Sequence, residues 1–431
     1  MSPTFQALSV RNFRLYSLGG VVSNTGTWMQ RVAQDWLVLE LTSSGSALGI
    51  TTGLQFLPFL LVSPFAGLIA DRYSKRLMLA VTQASLAVSA GLLGLLAVTG
   101  LVEVWHVYVL ALIFGIGTAF DAPARQSFVV EMVGPDNLPN AVGLNSASFN
   151  LGRIIGPGVA GLLIAAMGSG TRATGWVILL NAVSYVAVLG SLRAMRSSEL
   201  SPSQPLPRAK GALRQGVRYV QARPDLIFVF VVAFAAGTFG LNFQMTTALM
   251  ATTEFHKGAG EYGLLGSFMA IGSLAGALLA ARRGYPRRLV LVLAAVTFAL
   301  AEIVAGVMPT YWLFAAWLPV VGVSALTLLI SLQTVVQLSV DADIRGRIMA
   351  LYMMVLMGGT PFGAPVVGWV GDTFGARWTL IGGGLATLLT VLLATAWLIR
   401  AQDIRWREIS LRPAAGTASA QLSAPRGKVA V

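Results

Sequence analysis

The chain has 431 residues, of which 55% are hydrophobic and only 11% charged, and it carries a formal net charge of +13. So few charges cannot cover the surface of a water-soluble globule of this size, and that class is excluded. The absence of cysteine and the presence of only two histidines exclude disulfides, thiolate metal sites and a histidine-rich metal centre. The basic residues flank apolar segments instead of lining one groove, which argues against a nucleic-acid ligand.

Apolar segments of roughly 20 residues can cross a bilayer as helices. The sequence predicts twelve of them, at residues 15–39, 48–70, 77–99, 105–124, 140–167, 173–193, 225–250, 260–281, 288–308, 311–337, 348–370 and 377–399. Most lysines and arginines fall near the termini and in every second loop, which places both termini in the cytoplasm. We therefore expect an all-α, multi-pass protein of the inner cell membrane, with the lipid bilayer as its main partner.

One polar stretch divides the spans six and six, and its Ser- and Pro-rich residues 201–207 are typical of a linker. The predicted organisation is an N-terminal six-helix bundle (1–192), a cytoplasmic linker with a short amphipathic helix (193–223), a C-terminal six-helix bundle (224–400) and a disordered cytoplasmic tail (401–431). The layout of residues 67–76 is echoed at 276–288, which indicates two pseudo-symmetric bundles around a central cavity.

Predicted span one carries polar side chains at three- and four-residue spacing, a stripe that is costly to expose to lipid. We expect a proton or substrate cavity to be lined by Asn24, Gln30, Arg31, Gln34 and Asp35. Arg31 and Asp35 are one helical turn apart and could pair directly. The stripe fits either contact with a proton or substrate, or structural pairing.

The loop after predicted span two contains Gly67, Asp71, Arg72, Lys75 and Arg76. A carboxylate at this position could accept hydrogen bonds from the free N–H groups of a helix N-terminus and so act as a latch. The alternative is simple anchoring of the loop in the cytoplasm by its three cations.

Predicted span four ends near Asp121, and span five carries Arg153 at a similar depth, so we expect an interhelical pair between them. Asn150 could also accept from the Arg153 guanidinium group, and we expect Asp121 and Asn150 to be further candidates for the proton or substrate cavity. Capping of a helix by Asp121 is the alternative, in which Arg125 faces the loop.

Span five also contains a run of small residues with one proline: Gly152, Gly156, Pro157 and Gly161. Such a stripe predicts close helix packing and a bend, with or without a specific role in transport.

The second half offers few polar side chains within its predicted spans. Asn242 and Phe243 in span seven are candidates for a pocket, because an amide inside a span seeks a partner. Glu302 is the only carboxylate clearly inside this half, and it is either a protonatable site or an interfacial residue facing a crevice.

Two of these motifs resemble the major facilitator superfamily. Residues 67–76, GLIADRYSKR, are similar to its signature between spans two and three, and residues 152–161, GRIIGPGVAG, to the span-five motif of its drug/proton antiporters. Residues 26–37, 121–126 and 345–361 resemble the exporter group that includes the enterobactin exporter and the transmembrane secretion effectors.

This resemblance implies export of a small molecule, such as a drug, siderophore or other amphipathic metabolite, in exchange for protons by alternating access. It also implies that Asp71 faces the start of span eleven, near Arg347. Ala111 stands where many proton-linked relatives carry an arginine in span four, so coupling cannot use that arginine.

Other functions lack the residues that they require. There is no phosphate-binding loop for an ATP-driven pump, and no metal cluster or nucleophile–base pair for an enzyme. We expect no cofactor, a small-molecule substrate, protons as the coupling ion and a monomer. An ion-coupled importer of the same fold and a non-transporting membrane sensor are the alternatives.

Overall fold

The structure, a computed structural model, describes residues 3–201, 212–281 and 288–402, and the side chains of residues 63–72 lie outside the described part. The described residues are almost entirely helical, with no strand among them. Eleven helical segments are long and apolar enough to cross a membrane. A further 32-residue helix, Arg11–Thr42, is less apolar because it carries the polar stripe, and it completes twelve spans.

The twelve predicted spans are confirmed. In chain order, spans one to twelve are Arg11–Thr42, Gly45–Arg72, Lys75–Thr99, Val104–Gly134, Asp136–Ala166, Thr171–Ala194, Pro224–Glu254, Ala259–Ala281, Arg288–Gly306, Tyr311–Ser339, the helix pair Ala342–Gly358 and Thr360–Phe374, and Ala376–Gln402. A short helix, Ala212–Gln221, precedes span seven.

Span four is longer than its apolar segment predicts. The helix does not end near Asp121 but continues to Gly134, whose φ of +69° suits a residue without a Cβ and breaks the helix before span five. The charged residues in this part of the helix are tolerated because they form salt bridges. Asp121 pairs with Arg125 at 3.0 Å, and Glu131 pairs with Lys75 of span three at 3.2 Å.

Each group of six spans packs mainly on itself. In the first bundle span one packs on spans five and six, and span three on spans four and six. In the second bundle span eight packs on span ten, and span nine on spans ten and twelve. Two seams join the bundles, one between spans two and eleven and the other between spans five and eight.

The seams are built from glycines. We call the end of the molecule that carries loops 43–44, 167–170 and 255–258 the distal face, and the end that carries loops 73–74 and 195–201 the proximal face. At the distal face, a Cβ on Gly45 would lie 2.8 Å from the carbonyl oxygen of Gly368, and one on Gly49 would overlap that of Ala364. The bundles are therefore in backbone contact distally.

The helix Ala212–Gln221 falls inside the predicted linker and contacts span eleven. Its Gln215 accepts a hydrogen bond from Arg347 Nη1 at 2.8 Å, and Gly216 faces Leu351. Residues 202–211 of the predicted linker and the tail from residue 403 onward lie outside the described residues.

Candidate functional site

A cavity of about 460 Å³ lies between the two bundles. Both bundles supply its walls, with residues from spans one, two, four and five on one side and from spans seven, eight, ten and eleven on the other. Its aromatic lining residues are Trp28, Phe56, Phe59, Phe149, Phe243 and Tyr262. Its longer polar or charged lining residues are Arg31, Asp35, Gln55, Arg153, Asn242 and Gln244.

Two arginines reach this cavity from the first bundle and share one aromatic neighbour. The guanidinium carbons of Arg31 and Arg153 lie 5.1 Å and 5.7 Å from the centroid of the Trp28 ring. Neither arginine approaches a carboxylate of the described residues within 4.0 Å. The cations are instead stabilised by the face of the indole and by neutral acceptors.

Those neutral acceptors belong to the other bundle. Arg31 Nη1 donates to Gln244 Oε1 of span seven at 3.3 Å, while Arg153 Nη2 donates to Ser273 Oγ of span eight at 3.2 Å. Arg31 Nε is buried and has no hydrogen-bond partner among the described residues. Part of the hydrogen-bonding capacity of the guanidinium is thus free for another acceptor.

The predicted direct pair of Arg31 with Asp35 is wrong. Asp35 Oδ2 accepts a hydrogen bond from the hydroxyl of Tyr262 on span eight at 2.9 Å, and that hydroxyl also lies 3.3 Å from the carbonyl oxygen of Gln244. Both charged residues are thus engaged across the bundle boundary. We call Arg31, Asp35, Gln244 and Tyr262 the interbundle cluster.

The other stripe residues of span one do not line the cavity. Gln30 accepts from Asn181 Nδ2 of span six, and Asn24 Nδ2 donates to Ser148 Oγ of span five at 3.0 Å. Gln34 is only 2% exposed, and its amide nitrogen has no partner among the described residues. The stripe wraps around span one, so its members on the neighbouring face hold the first bundle together.

The predicted pair of Asp121 with Arg153 is also wrong. Asp121 accepts hydrogen bonds from Thr82 Oγ1 at 2.9 Å, Gln83 Nε2 at 2.8 Å and Arg125 Nε at 3.0 Å, all within the first bundle. Arg125, one turn along the same helix, competes successfully with the more distant Arg153. Asp121 therefore neither lines the cavity nor caps a helix, and Arg125 does not face the loop.

Asn150 neither hydrogen-bonds Arg153 nor lines the cavity. Its side-chain nitrogen donates to the carbonyl oxygen of Ser146 in its own helix at 2.9 Å.

The small residues of span five serve two packing surfaces. A Cβ on Gly152 or Gly156 would meet the backbone of span one, whereas Gly161 and Pro157 pack against Gly263 of span eight. The backbone of span five keeps helical dihedral angles through Pro157, so the helix is not broken there. Close packing accounts for the glycines, and Arg153 and Pro157 are the residues of this motif that line the cavity.

Asn242 and Phe243 line the cavity at an interruption of span seven. This span consists of the helix Pro224–Ala235, a π-turn Ala236–Gly240, two non-helical residues, the helix Phe243–Leu249 and a second π-turn, Met250–Glu254. Asn242 Nδ2 donates to the carbonyl oxygen of Thr238, and the Phe243 ring packs edge-on against Phe298. Hydropathy carries no signal for such turns, and sequence reasoning missed them.

Glu302 is not a lining residue. It lies behind span seven, with no exposed surface, and neither carboxylate oxygen has a hydrogen-bond partner among the described residues.

The loop latch is only partly within the described residues, because Gly67 and the side chains of Asp71 and Arg72 lie in the stretch 63–72, outside the part whose side chains the structure describes. Lys75 pairs with Glu131, and Arg76 donates to the carbonyl oxygen of Leu192 at 2.8 Å. These two cations tie the loop to spans four and six of its own bundle.

Spans two and eleven, which the predicted latch would connect at the proximal face, are joined at the distal face by a contact that the sequence analysis did not predict. Asp372, near the end of span eleven, accepts hydrogen bonds at the N-terminus of span two from the backbone N–H groups of Gly45 at 2.5 Å and Ser46 at 2.8 Å, and from Ser44 Oγ at 2.8 Å. Two sequence features could have indicated this contact: the Ser-Gly-Ser sequence at the start of span two, which is typical of a helix N-terminus, and an acidic residue near the end of span eleven.

Two six-helix bundles around an amphipathic central cavity, in contact through glycine seams, define a membrane transporter fold. The family model of transmembrane secretion effectors, within the major facilitator superfamily, matches residues 2–431. The chain belongs to this family, and it is a multi-pass membrane protein.

Relatives and solved structures agree with this assignment. The chain is similar to the multidrug efflux pump Tap of Mycolicibacterium fortuitum (26% identity, 88% of this chain, 94% of that protein) and to macrolide efflux protein A of Streptococcus pyogenes (22%, 90% and 96%). Its fold is similar to an inward-facing, unoccupied bacterial homologue of the human lysosomal transporter Spinster (TM-score 0.69, 16% identity, 95% and 98%). It is also similar to a D-xylose–proton symporter (TM-score 0.68, 14% identity, 89% and 96%).

Proposed function

We propose that the protein exports an amphipathic small molecule from the cytoplasm in exchange for protons, by alternating access. The observation that carries this proposal is the interbundle cavity, in which two arginines that form no salt bridge among the described residues lie beside aromatic rings. Similarity to efflux proteins over most of the chain supports the outward direction of transport.

The cavity chemistry favours a cargo that combines an apolar body with several hydrogen-bond acceptors. Aromatic walls bury apolar surface without strict shape selection, while Arg31 and Arg153 can donate to oxygens of the cargo. A macrolide or a siderophore meets both requirements. A compact cation does not, because the described cavity lining carries two arginines against a single carboxylate, Asp35, and would repel it.

Alternating access requires the distal contacts to form and break. With both termini in the cytoplasm, the distal face is extracellular, and the contacts of the interbundle cluster help to close it. Protonation of Asp35 would remove its negative charge and weaken its acceptance from Tyr262, because hydrogen bonds to a charged group are the stronger ones. Proton binding from outside would therefore be linked to rearrangement of this contact.

Asp71 supplies the opposing contact in this proposal. At the proximal face its carboxylate would accept from the N-terminus of span eleven when the cavity is open to the outside. The hydrogen bond from Arg347 to Gln215 brings the helix Ala212–Gln221 next to the N-terminus of span eleven. Movement of span eleven would therefore change a contact with the linker.

Everted membrane vesicles test the function directly. Respiration acidifies their lumen and quenches a pH-sensitive acridine dye, and addition of erythromycin should restore fluorescence only in vesicles that contain the protein. Unchanged quenching across a panel of macrolides and siderophores would contradict proton-coupled export. Increased accumulation of the same compounds by intact cells would instead favour the importer alternative.

A further inference from the structure

Glu302 of span nine lies in the core of the second bundle, where spans seven and twelve approach its carboxyl group. Its residue exposure is 0%, and glycines on both neighbouring spans make room for it. A Cβ on Gly240 of span seven would lie 3.1 Å from Oε2, and one on Gly383 of span twelve would lie 3.0 Å from Oε1. Any larger residue at these two positions would press on the carboxyl group.

No described cation compensates a charge at this position. On span seven, Asp225 pairs with Arg223 at the proximal end, while Glu254 pairs with Arg377 of span twelve at the distal end.

The other packed elements add no partner among the described residues. Span ten has no acidic or basic residue, and its Tyr311 donates to the carbonyl oxygen of Glu261. The further charged residues of spans nine and twelve, Arg288 and Arg400, stand near their proximal ends. A lone ionised carboxylate is very costly in such surroundings, so burial without a partner favours the neutral, protonated form of Glu302.

The interrupted part of span seven lies between this carboxyl group and the cavity. Gly240 contacts it from one side, and the next residues, Leu241 and Asn242, line the cavity on the other. Asn242 is 4% exposed, and its Oδ1 has no partner among the described residues. Residues 240–242 lack regular helical hydrogen bonding and can rearrange at a lower cost than a continuous helix. π-Turns such as the one at Ala236–Gly240 recur at functional sites.

We propose that Glu302 is a proton-binding site of the transport cycle, which holds its proton behind span seven here and exchanges it with the cavity when residues 240–242 rearrange. On release, the proton passes from the carboxyl oxygen to cavity water and leaves a carboxylate. This inference rests on the proposed proton-coupled export, and it adds a site in the second bundle to Asp35 in the first.

Reconstituted vesicles separate proton coupling from cargo binding. Two rates are measured with radiolabelled erythromycin: transport driven by a pH gradient, and exchange at equal pH on both sides. Glu302→Gln, a neutral mimic of the protonated acid, should lose the driven transport and keep the exchange. Glu302→Asp should retain driven transport with a displaced pH profile, and Glu40→Gln, the same change at an exposed position of span one, should match the wild type.

The outcomes distinguish the two proposals. If wild-type protein shows no gradient-driven transport, both proposals fail. If Glu302→Gln keeps wild-type driven transport, only the role of Glu302 fails. Loss of exchange together with driven transport in Glu302→Gln also overturns it, because a neutral side chain should leave the cargo-loaded cycle intact.

Infrared spectroscopy supplies a readout independent of flux. The difference spectrum between wild type and Glu302→Gln at pH 7 should contain the carbonyl band of a protonated carboxylic acid, shifted in heavy water. Absence of that band would show that Glu302 is ionised and would overturn the proposal.

Discussion

Arg31 and Asp35 lie one turn apart on span one, yet each forms its hydrogen bond with the opposite bundle. A direct ion pair between these two residues of span one would keep the same surroundings when the bundles move relative to each other. Because the partners Gln244 and Tyr262 belong to the second bundle, movement between the bundles changes the surroundings of both charges. This residue-scale arrangement couples charge to conformation.

Loss of the Tyr262 hydroxyl should affect coupling more than binding. Tyr262→Phe removes the donor to Asp35 and keeps the ring that stacks on Trp36. We expect erythromycin binding to be retained and the pH profile of transport to shift, since the charged form of Asp35 loses a hydrogen bond worth about 1.5–3 kcal/mol. Transport rates across a pH series, with Tyr311→Phe as a matched change outside the cavity, provide the measurement. A pH profile identical to that of the wild type would remove Tyr262 from the coupling mechanism.

Asp121 should matter for stability instead. Asp121→Ala leaves Arg125 and two polar side chains without their acceptor inside the first bundle, which should cost about 3 kcal/mol. The expected result is a lower melting temperature of the purified protein in detergent. Asp121→Ala combined with Arg125→Leu should recover part of the loss. A melting temperature equal to that of the wild type would show that the pair is not structural.

Sequence reasoning succeeded at the scale of spans because burial in lipid demands long apolar runs, which hydropathy reveals. It failed where one helix face had to be distinguished from the next. Arg31 and Gln30 are adjacent in the stripe, but one faces the cavity and the other faces Asn181. That choice depends on the neighbouring span, as does the preference of Asp121 for Arg125, and one chain read alone carries little information on either.

At the scale of helices, the glycine seam between spans two and eleven sets how closely the bundles approach. Gly49→Ala places a methyl group against the carbonyl oxygen of Ala364 and should hold the distal face apart. Since the chain lacks cysteine, Thr52→Cys provides a single label site in the cavity. An impermeant maleimide added to intact cells should label this site faster in the Gly49→Ala background.

The matched control for this experiment is Gly190→Ala on span six, where an added Cβ meets no atom within 4 Å. It should leave the labelling rate unchanged. Equal labelling of the Gly49→Ala and control proteins would mean that the seam does not govern distal closure.

At the scale of the whole molecule, spans two and eleven can exchange contacts at their two ends. At the distal face the carboxylate of Asp372 on span eleven accepts from the N-terminus of span two. At the proximal face Asp71 on span two is proposed to accept from the N-terminus of span eleven. The two acids would thus stabilise opposite states of one carrier, each through a helix N-terminus.

Neutralising either acid should therefore shift the balance of states in opposite directions. Asp372→Asn weakens distal closure, so Thr52→Cys should react faster from outside, whereas Asp71→Asn weakens proximal closure and should slow that reaction. A loss of about 1.4 kcal/mol at either end corresponds to a tenfold change in the ratio of states. The double variant should return towards the wild-type rate, because the two losses oppose each other. If both single variants change the rate in the same direction, the two carboxylates do not act as opposing latches.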